Sequence, residues 1–102
     1  MTKVTMFVGL NDQITHQQEI NTLDAFKVVS NIFRETTGGA TITEGTGVYT
    51  HDDGSLVVEK SLICLVYGAD MEHVIEAADQ IKVALNQESV IIETCEVNSM
   101  FH

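Results

Sequence analysis

The chain has 102 residues, of which 44% are hydrophobic and 20% are charged, and these values exclude a disordered chain and predict one globular domain over residues 1–102. The formal net charge of −10 disfavours sequence-independent nucleic-acid binding, because phosphates repel an acidic surface, and favours a cationic ligand or a basic partner. No apolar run approaches the roughly 20 residues that span a bilayer, and Met1–Lys3 lacks a signal-peptide pattern. We therefore expect a cytoplasmic protein without a membrane partner.

The first half of the chain predicts a strand, a helix and a second strand. Lys3–Gly9 alternates and is rich in β-formers, which indicates a strand, and the polar segment Leu10–Ile20 contains an Asn-Asp turn signal. A helix is predicted over Asn21–Thr36, with its first residue as the cap and Gly38-Gly39 as its stop. Its apolar positions are Leu23, Phe26, Val29, Ile32 and Phe33. Ala40–His51 alternates again and predicts the second strand.

The second half predicts a hairpin, a long strand, a helix and a final strand. Asp52-Asp53-Gly54 is a hairpin turn, because Asp-Gly tolerates the positive φ that such turns need, and Leu56–Tyr67 is the third strand. Asp70 caps a second helix that ends near Leu85, and Glu88–Val97 is the fourth strand. The apolar face of the second helix is predicted to comprise Val74, Ile75, Ala78, Ile81, Ala84 and Leu85.

The order β-α-β-β-α-β predicts an α+β, ferredoxin-like fold, in which two helices cover one face of an antiparallel sheet. This sheet is expected to be apolar on both faces. In the third strand, Leu62, Cys64 and Val66 face one side and Ile63, Leu65 and Tyr67 face the other. In the first strand, Val4, Met6 and Val8 lie opposite Phe7, and the last strand contains the apolar run Val90, Ile91 and Ile92. Since helices cover only one face, and a large exposed apolar sheet is unusual on a monomer, we expect a homo-oligomer that packs sheet against sheet.

Tyr49 and Glu59 flank the predicted hairpin at comparable depth on adjacent antiparallel strands, so their side chains are expected to approach each other. The alternative is a rim tyrosine beside a solvated strand end. The stretch His51–Asp53 is interpreted as a solvated turn and not as a metal site, because its residues are consecutive and have no second cluster. Glu93 and Glu96 either line a cleft with Glu59 or are exposed positions of the last strand.

The two cysteines, Cys64 and Cys95, match no CxxC pattern and lie in apolar runs. Reduced cysteines of the hydrophobic core are therefore the expectation for both. No catalytic triad is readable, because Ser55 and Ser61 have no histidine at a recognisable spacing. Neither a metal nor another cofactor is expected.

The whole domain resembles the PII- and CutA-type trimeric proteins, and the segment GVYTHDDGSLVVEKSLICLV (residues 47–66) is similar to the aromatic, hairpin, glutamate and aliphatic-strand run of CutA. The phosphate-cradling loop of PII proteins is not reproduced. A second resemblance is more local. A short motif is similar to one in phage S-adenosylmethionine lyases, which have a similar trimeric core. The motif consists of Thr46-Gly47-Val48-Tyr49 and, ten residues after the tyrosine, Glu59-Lys60.

The resemblance to these lyases implies a carbon–sulfur lyase that converts S-adenosyl-L-methionine into methylthioadenosine and homoserine lactone. It implies a PII-like homotrimer with its active site between subunits, in the cytoplasm of a host cell if a phage encodes it, where such a protein would serve anti-restriction. Glu59 and Tyr49 would be the catalytic pair: Glu59 would bind the methionine ammonium, directly or through water, and Tyr49 would help orient the substrate. The substrate-binding residues implied by the motif are Thr46, Gly47, Val48 and Lys60.

Two other functions remain open from the sequence. The first is a PII- or CutA-like trimer that binds a small molecule, either a nucleotide or a metal, without catalysis. The second is an acidic mimic of nucleic acid, or an inhibitor. The net charge favours the second, whereas the distribution of acidic residues over helices and turns, without dense runs, disfavours it.

Overall fold

Four strands and two helices follow one another in the computed structural model, which describes every residue from Met1 to His102. The elements are β1 (Thr2–Gly9), α1 (Thr22–Thr36), β2 (Thr41–Thr50), β3 (Leu56–Tyr67), α2 (Met71–Ala84) and β4 (Ile91–Glu96). The strands form one antiparallel sheet in the order β2-β3-β1-β4. The predicted order β-α-β-β-α-β and the α+β, ferredoxin-like fold are therefore confirmed. Neither helix has the length and hydrophobicity needed to cross a membrane.

The last strand is shorter than predicted, because it begins at Ile91 and not at Glu88. The preceding residues close the end of α2 and do not pair with β1. Asn86 has a positive φ of 48°, and the side-chain amide of Gln87 donates to the carbonyl oxygen of Asn11 at 2.7 Å. Through these contacts the connection between α2 and β4 packs against the β1–α1 loop. It therefore does not continue strand β4 back to Glu88.

The core lies between the helices and one face of the sheet. The sheet contributes Val4, Met6, Val8, Leu62, Cys64 and Val66, and the helices contribute Ala25, Val29, Phe33, Val74, Ala77, Ala78 and Ile81. The buried stripe of α1 follows the i, i+4, i+8 positions 25, 29 and 33. Leu23 and Phe26 fit the helical period of the sequence but lie beside this stripe, and their side chains are 63% and 41% exposed. Ile75 and Ala84 of α2 are likewise exposed, because they flank its buried stripe.

The two predicted helix caps differ. The side chain of Asn21 accepts a hydrogen bond from the amide of Asp24 at 2.8 Å, as expected of an N-cap. Asp70 occupies the N-cap position of α2, but its side chain makes no capping hydrogen bond. Its backbone carbonyl accepts from the amides of His73 and Val74 instead.

The second face of the sheet carries an apolar row beside polar positions such as Thr5 and Glu93, so the prediction of an apolar second face holds only in part, and no helix of the chain covers this face. Phe7 pairs with Ile63 on one side and with Ile91 on the other, so an apolar row crosses three strands. Phe7 and Ile63 are half-buried, and Ile91 is 65% exposed. We call this surface the helix-free face; its burial against other copies of the chain stays a prediction.

We expect a homotrimer, the state that the resemblance implies, and two substitutions distinguish the two faces. Leu62→Asp places a charge in the core beneath the helices and is expected to unfold the chain. Ile63→Asp places the same charge on the helix-free face and is expected to leave a folded monomer. Light scattering and circular dichroism measure both effects. A monomeric wild-type protein, or an Ile63→Asp variant of unchanged mass, would contradict the prediction.

The two cysteines differ in environment, so the expectation that both lie in the core is half wrong. Cys64 is buried, and burial raises the pKa of its thiol to about 12. Cys95 lies on the edge strand β4 and is exposed, because its pairing with Lys3 places its side chain on the helix-free face.

A thiol-reactive dye is therefore expected to modify only Cys95 in the folded protein. At about pH 8 a thiol of pKa about 12 is ionised in roughly one molecule in ten thousand, and the thiolate is the reactive species. Absorbance titration should give one reactive thiol per chain in buffer and two in denaturant. Equal, fast reaction of both thiols in buffer would show that Cys64 is accessible.

Candidate functional site

A cleft of about 790 Å³ opens where the β2–β3 hairpin extends past the end of β1. Its walls come from β1, the hairpin, the β1–α1 loop and the α2–β4 connection. Its volume lies within the range of small-molecule sites in proteins. The cleft borders the helix-free face, since Phe7 and Ile91 line both.

The register of the hairpin brings three of the predicted site residues to this cleft. Gly47 pairs with Glu59, and Tyr49 pairs with Val57, so Tyr49 and Glu59 are diagonal neighbours on the same face of the sheet. All four residues line the cleft. Their roles toward a substrate stay a prediction.

The other three predicted residues face the opposite side of the sheet. Thr46 pairs with Lys60, and Val48 pairs with Val58, which places the side chains of Thr46, Val48 and Lys60 on the helix side of the hairpin. None of these three lines the cleft. The structure of one chain therefore does not bring them together with Glu59, although the backbone carbonyl of Lys60 accepts a hydrogen bond from the amide of Leu10 at 3.0 Å.

The Glu59 carboxylate is held against the backbone that follows β1. Its Oε2 atom accepts a hydrogen bond from the amide of Asn11 at 2.9 Å. A Cβ atom on residue 9 would lie 2.7 Å from each carboxylate oxygen, so the carboxylate occupies space that only a glycine leaves free. The Oε1 atom has no hydrogen-bond partner within the chain. One oxygen is thus fixed, and the other is available to a ligand.

The Asn11 amide is itself fixed by a hydrogen-bonded loop. Asp12 accepts from the amides of Ile14 and Thr15 at 2.8 and 3.1 Å, and from the Asn86 side chain at 2.9 Å. The Asn86 hydrogen bond, with the two backbone amides, holds the pKa of the Asp12 carboxyl below its usual range. The position of Glu59 is therefore connected through this loop to the C-terminal end of α2.

The cleft is acidic. Asp12, Glu59 and Glu88 line it, and no lysine or arginine does. Because an anionic wall attracts cations and repels phosphates, the cleft suits a positively charged small molecule.

Two histidines of the cleft were not predicted as site residues. Tyr49 and His51 make an edge-to-face contact with ring centroids 5.8 Å apart, and His51 and His16 make another at 6.0 Å. His16 comes from the β1–α1 loop and has a positive φ of 59°. The contact between a loop residue and a residue near a hairpin tip leaves no periodic pattern in the sequence. The sequence therefore shows that both histidines lie in polar segments, but it does not predict that they meet.

The remaining candidate residues named from the sequence do not line the cleft and do not form a metal site. Asp53 accepts hydrogen bonds from the amide and hydroxyl of Ser55 within the turn, and no group of three His, Cys, Asp or Glu side chains is placed to hold a metal. Glu93 pairs with Thr5 away from the cleft. Glu96 accepts from the Thr2 hydroxyl and lies 3.7 Å from the N-terminal amino group.

No protein-family model and no curated protein sequence matches the chain. Among solved structures, a phage SAM lyase in complex with S-methyl-5'-thioadenosine matches with a TM-score of 0.71 and 27% identity, over 93% of this chain and 80% of that chain. A phage SAM lyase in the apo state matches with a TM-score of 0.65 and 27% identity, over 92% and 78%. The divalent ion tolerance protein CutA1 from Ehrlichia chaffeensis matches with a TM-score of 0.56 and 16% identity, over 97% and 84%, and shows the fold alone.

The structural neighbours agree with the resemblance that the sequence indicated. The chain has a PII-like, ferredoxin-like fold, which it shares with CutA1, and it is related in structure to phage SAM lyase at low identity.

Gly9→Ala tests the support of Glu59. Gly9 lies in extended strand β1, a conformation that alanine adopts freely, so the effect should come from the contact with the carboxylate. The flexible Glu59 side chain is expected to move away and lose its bond to Asn11, at a cost of about 1 kcal/mol in the free energy of unfolding. Urea denaturation measures the cost, and faster hydrogen exchange of the Asn11 amide reports the lost bond.

The control for this prediction is the same change in a Glu59→Ala background. Without the carboxylate the alanine at position 9 has nothing to displace, so the two substitutions should be non-additive. An equal cost of Gly9→Ala in both backgrounds would mean that the glycine is needed for another reason.

Proposed function

We propose that the protein is a carbon–sulfur lyase that converts S-adenosyl-L-methionine into methylthioadenosine and homoserine lactone. The observation that carries this proposal is the Glu59 carboxylate, which is held by the Asn11 amide and leaves one oxygen open to an acidic cleft. S-adenosylmethionine carries a sulfonium and an ammonium, so its charge fits this cleft. The relation to phage SAM lyase, seen in complex with S-methyl-5'-thioadenosine, supports this choice of cation.

The reaction needs no external nucleophile. An oxygen of the substrate carboxylate attacks the γ-carbon of the methionine chain, and the bond between that carbon and sulfur breaks. The electron pair of the broken bond stays on sulfur, which becomes the neutral thioether of methylthioadenosine. The new carbon–oxygen bond closes homoserine lactone, which keeps the ammonium. No proton is gained or lost, so the enzyme has to supply a folded substrate conformation.

Glu59 is proposed to bind the substrate ammonium through its free Oε1 atom. Its fixed Oε2 atom keeps the carboxylate in one position, so binding the ammonium also positions the atoms next to it. An ammonium paired with Glu59 no longer pairs with the substrate's own carboxylate, which leaves that carboxylate available for attack.

Tyr49 is proposed to orient the substrate from its position diagonal to Glu59. Val57 and Phe7 line the same cleft. As the carboxylate oxygen bonds to the γ-carbon and the carbon–sulfur bond breaks, the negative charge of the carboxylate and the positive charge of the sulfonium are both lost. A partly apolar wall favours such a step because it stabilises separated charges less than water does.

The proposed assembly is a homotrimer with the cleft at a subunit interface. Phe7 and Ile91 line the cleft and also belong to the apolar row of the helix-free face. A neighbouring copy that covers the row would therefore border the cleft and restrict the access of water to it. The proposed location of the reaction is the cytoplasm, which would be that of a host cell if a phage encodes the protein.

Glu59→Gln is expected to lower lyase activity on the order of 100-fold or more, because a charge-assisted contact to the substrate ammonium is lost. The glutamine keeps the shape, and its carbonyl oxygen can still accept from the Asn11 amide. Its amide group would then face the cleft in place of Oε1 and repel the ammonium. Chromatographic detection of methylthioadenosine from purified protein and S-adenosylmethionine measures the change.

Two matched variants accompany this test. Asp52→Asn removes a carboxylate from the exposed hairpin tip, outside the cleft, and should be near neutral. Tyr49→Phe keeps the ring and removes one hydroxyl, which corresponds to a loss of about fivefold. Full activity of Glu59→Gln would remove Glu59 from the mechanism. No product from the wild-type protein would favour the PII- or CutA-like binding function over the lyase.

A further inference from the structure

We propose that Tyr49, His51 and His16 form the part of the cleft that binds the planar base of an adenine nucleoside. We call these three residues the aromatic wall. The identity of the base rests on the proposed function, in which the substrate carries an adenosyl group. The wall itself rests on the contacts between its rings and on its position relative to Glu59.

The rings of the aromatic wall are held edge to face. The interplanar angles are 83° between Tyr49 and His51 and 79° between His51 and His16. Neighbouring rings at such angles leave ring faces that the wall itself does not cover. All three residues are exposed at the cleft, and a planar base that stacks on an uncovered ring gains contact without displacing the protein's own packing.

Two distant segments of the chain converge to build the wall. The hairpin supplies Tyr49 and His51, and the β1–α1 loop supplies His16. The amide of His16 donates to the carbonyl of Asp12 at 2.9 Å, and its positive φ of 59° is uncommon for a residue with a side chain. The same loop holds the Asn11 amide against Glu59, so one loop positions both the acidic and the aromatic part of the cleft.

Within the aromatic wall, Tyr49 is the diagonal neighbour of Glu59, whereas His51 lies farther along the hairpin toward its tip. Glu59 pairs with Gly47, whereas the amide of His51 donates to the carbonyl of Ser55. Four residues of an extended strand separate the two levels, which is about 13 Å. The cleft thus offers an anion at one level and aromatic rings that extend from Tyr49 toward the hairpin tip, an arrangement that suits a ligand with an ammonium at one end and a planar base at the other.

The chemistry of the wall narrows the ligand class. A neutral imidazole offers one hydrogen-bond donor and one acceptor, as the edge of a purine does. The lining residues include no lysine or arginine that would pair with phosphate. A nucleoside, and not a nucleotide, is therefore the ligand that the cleft favours.

Calorimetry with methylthioadenosine as the probe tests the wall separately from catalysis, because this compound has the base but no ammonium. His51→Ala and His16→Ala should each weaken its binding about 5- to 100-fold. His51→Phe keeps a ring for stacking and should weaken it less. His73→Ala is the control, since His73 is an exposed histidine of α2 outside the cleft, near Glu76 at 3.8 Å. Circular dichroism confirms that each variant is folded.

The outcomes separate this proposal from the lyase proposal. Methylthioadenosine binding that depends on His51 and His16, without turnover of S-adenosylmethionine, supports the aromatic wall and removes the lyase. Turnover with unchanged methylthioadenosine binding in His51→Ala and His16→Ala overturns the wall and leaves the lyase. No measurable binding of methylthioadenosine to the wild-type protein also overturns the wall.

Discussion

The register of β3 in the sheet decides which side chains reach the cleft. Leu62, Cys64 and Val66 are buried beneath the helices, and side chains alternate along a strand, so Glu59 must face the other side. Pairing with β2 then places Tyr49 and Gly47 on that same side. A shift by one residue would expose the core positions and turn Glu59 toward the helices. The hydrophobic core thus fixes the orientation of a carboxylate that lies outside it.

The end of β1 creates the second condition for the site. β3 pairs with β1 only as far as Ser61, so the hairpin beyond it needs other partners for its polar groups. The β1–α1 loop supplies them, since the Leu10 amide donates to the Lys60 carbonyl and the Asn11 amide donates to Glu59. A strand at this position would continue alongside the hairpin, whereas the β1–α1 loop curves away from it. The space between the loop and the hairpin is the cleft.

Local period and turn chemistry predicted the elements, the fold and the side of the sheet that Glu59 and Tyr49 share. They did not predict which flank of α1 is buried, because Leu23 and Phe26 fit the helical period but the helix axis lies over Ala25, Val29 and Phe33. Contacts between loops have no period at all. The proximity of His16 to His51, and of Asn11 to Glu59, depends on where the chain returns in space. The sequence therefore predicted the residues that the strands contribute to the cleft, but not those that the loops contribute.

The charges of the cleft bear on how the proposed reaction would be favoured. The attacking group is the substrate's own carboxylate, and a lysine or arginine beside it would pair with it and reduce its nucleophilicity. The cleft of the chain contains neither, and Lys60, next to Glu59 in sequence, faces the other side of the sheet. In this arrangement Glu59 would bind the ammonium, and no lysine or arginine would bind the substrate carboxylate. The sulfonium would then be the nearest positive charge to the attacking carboxylate. The attraction between these two groups then acts along the path that forms the lactone.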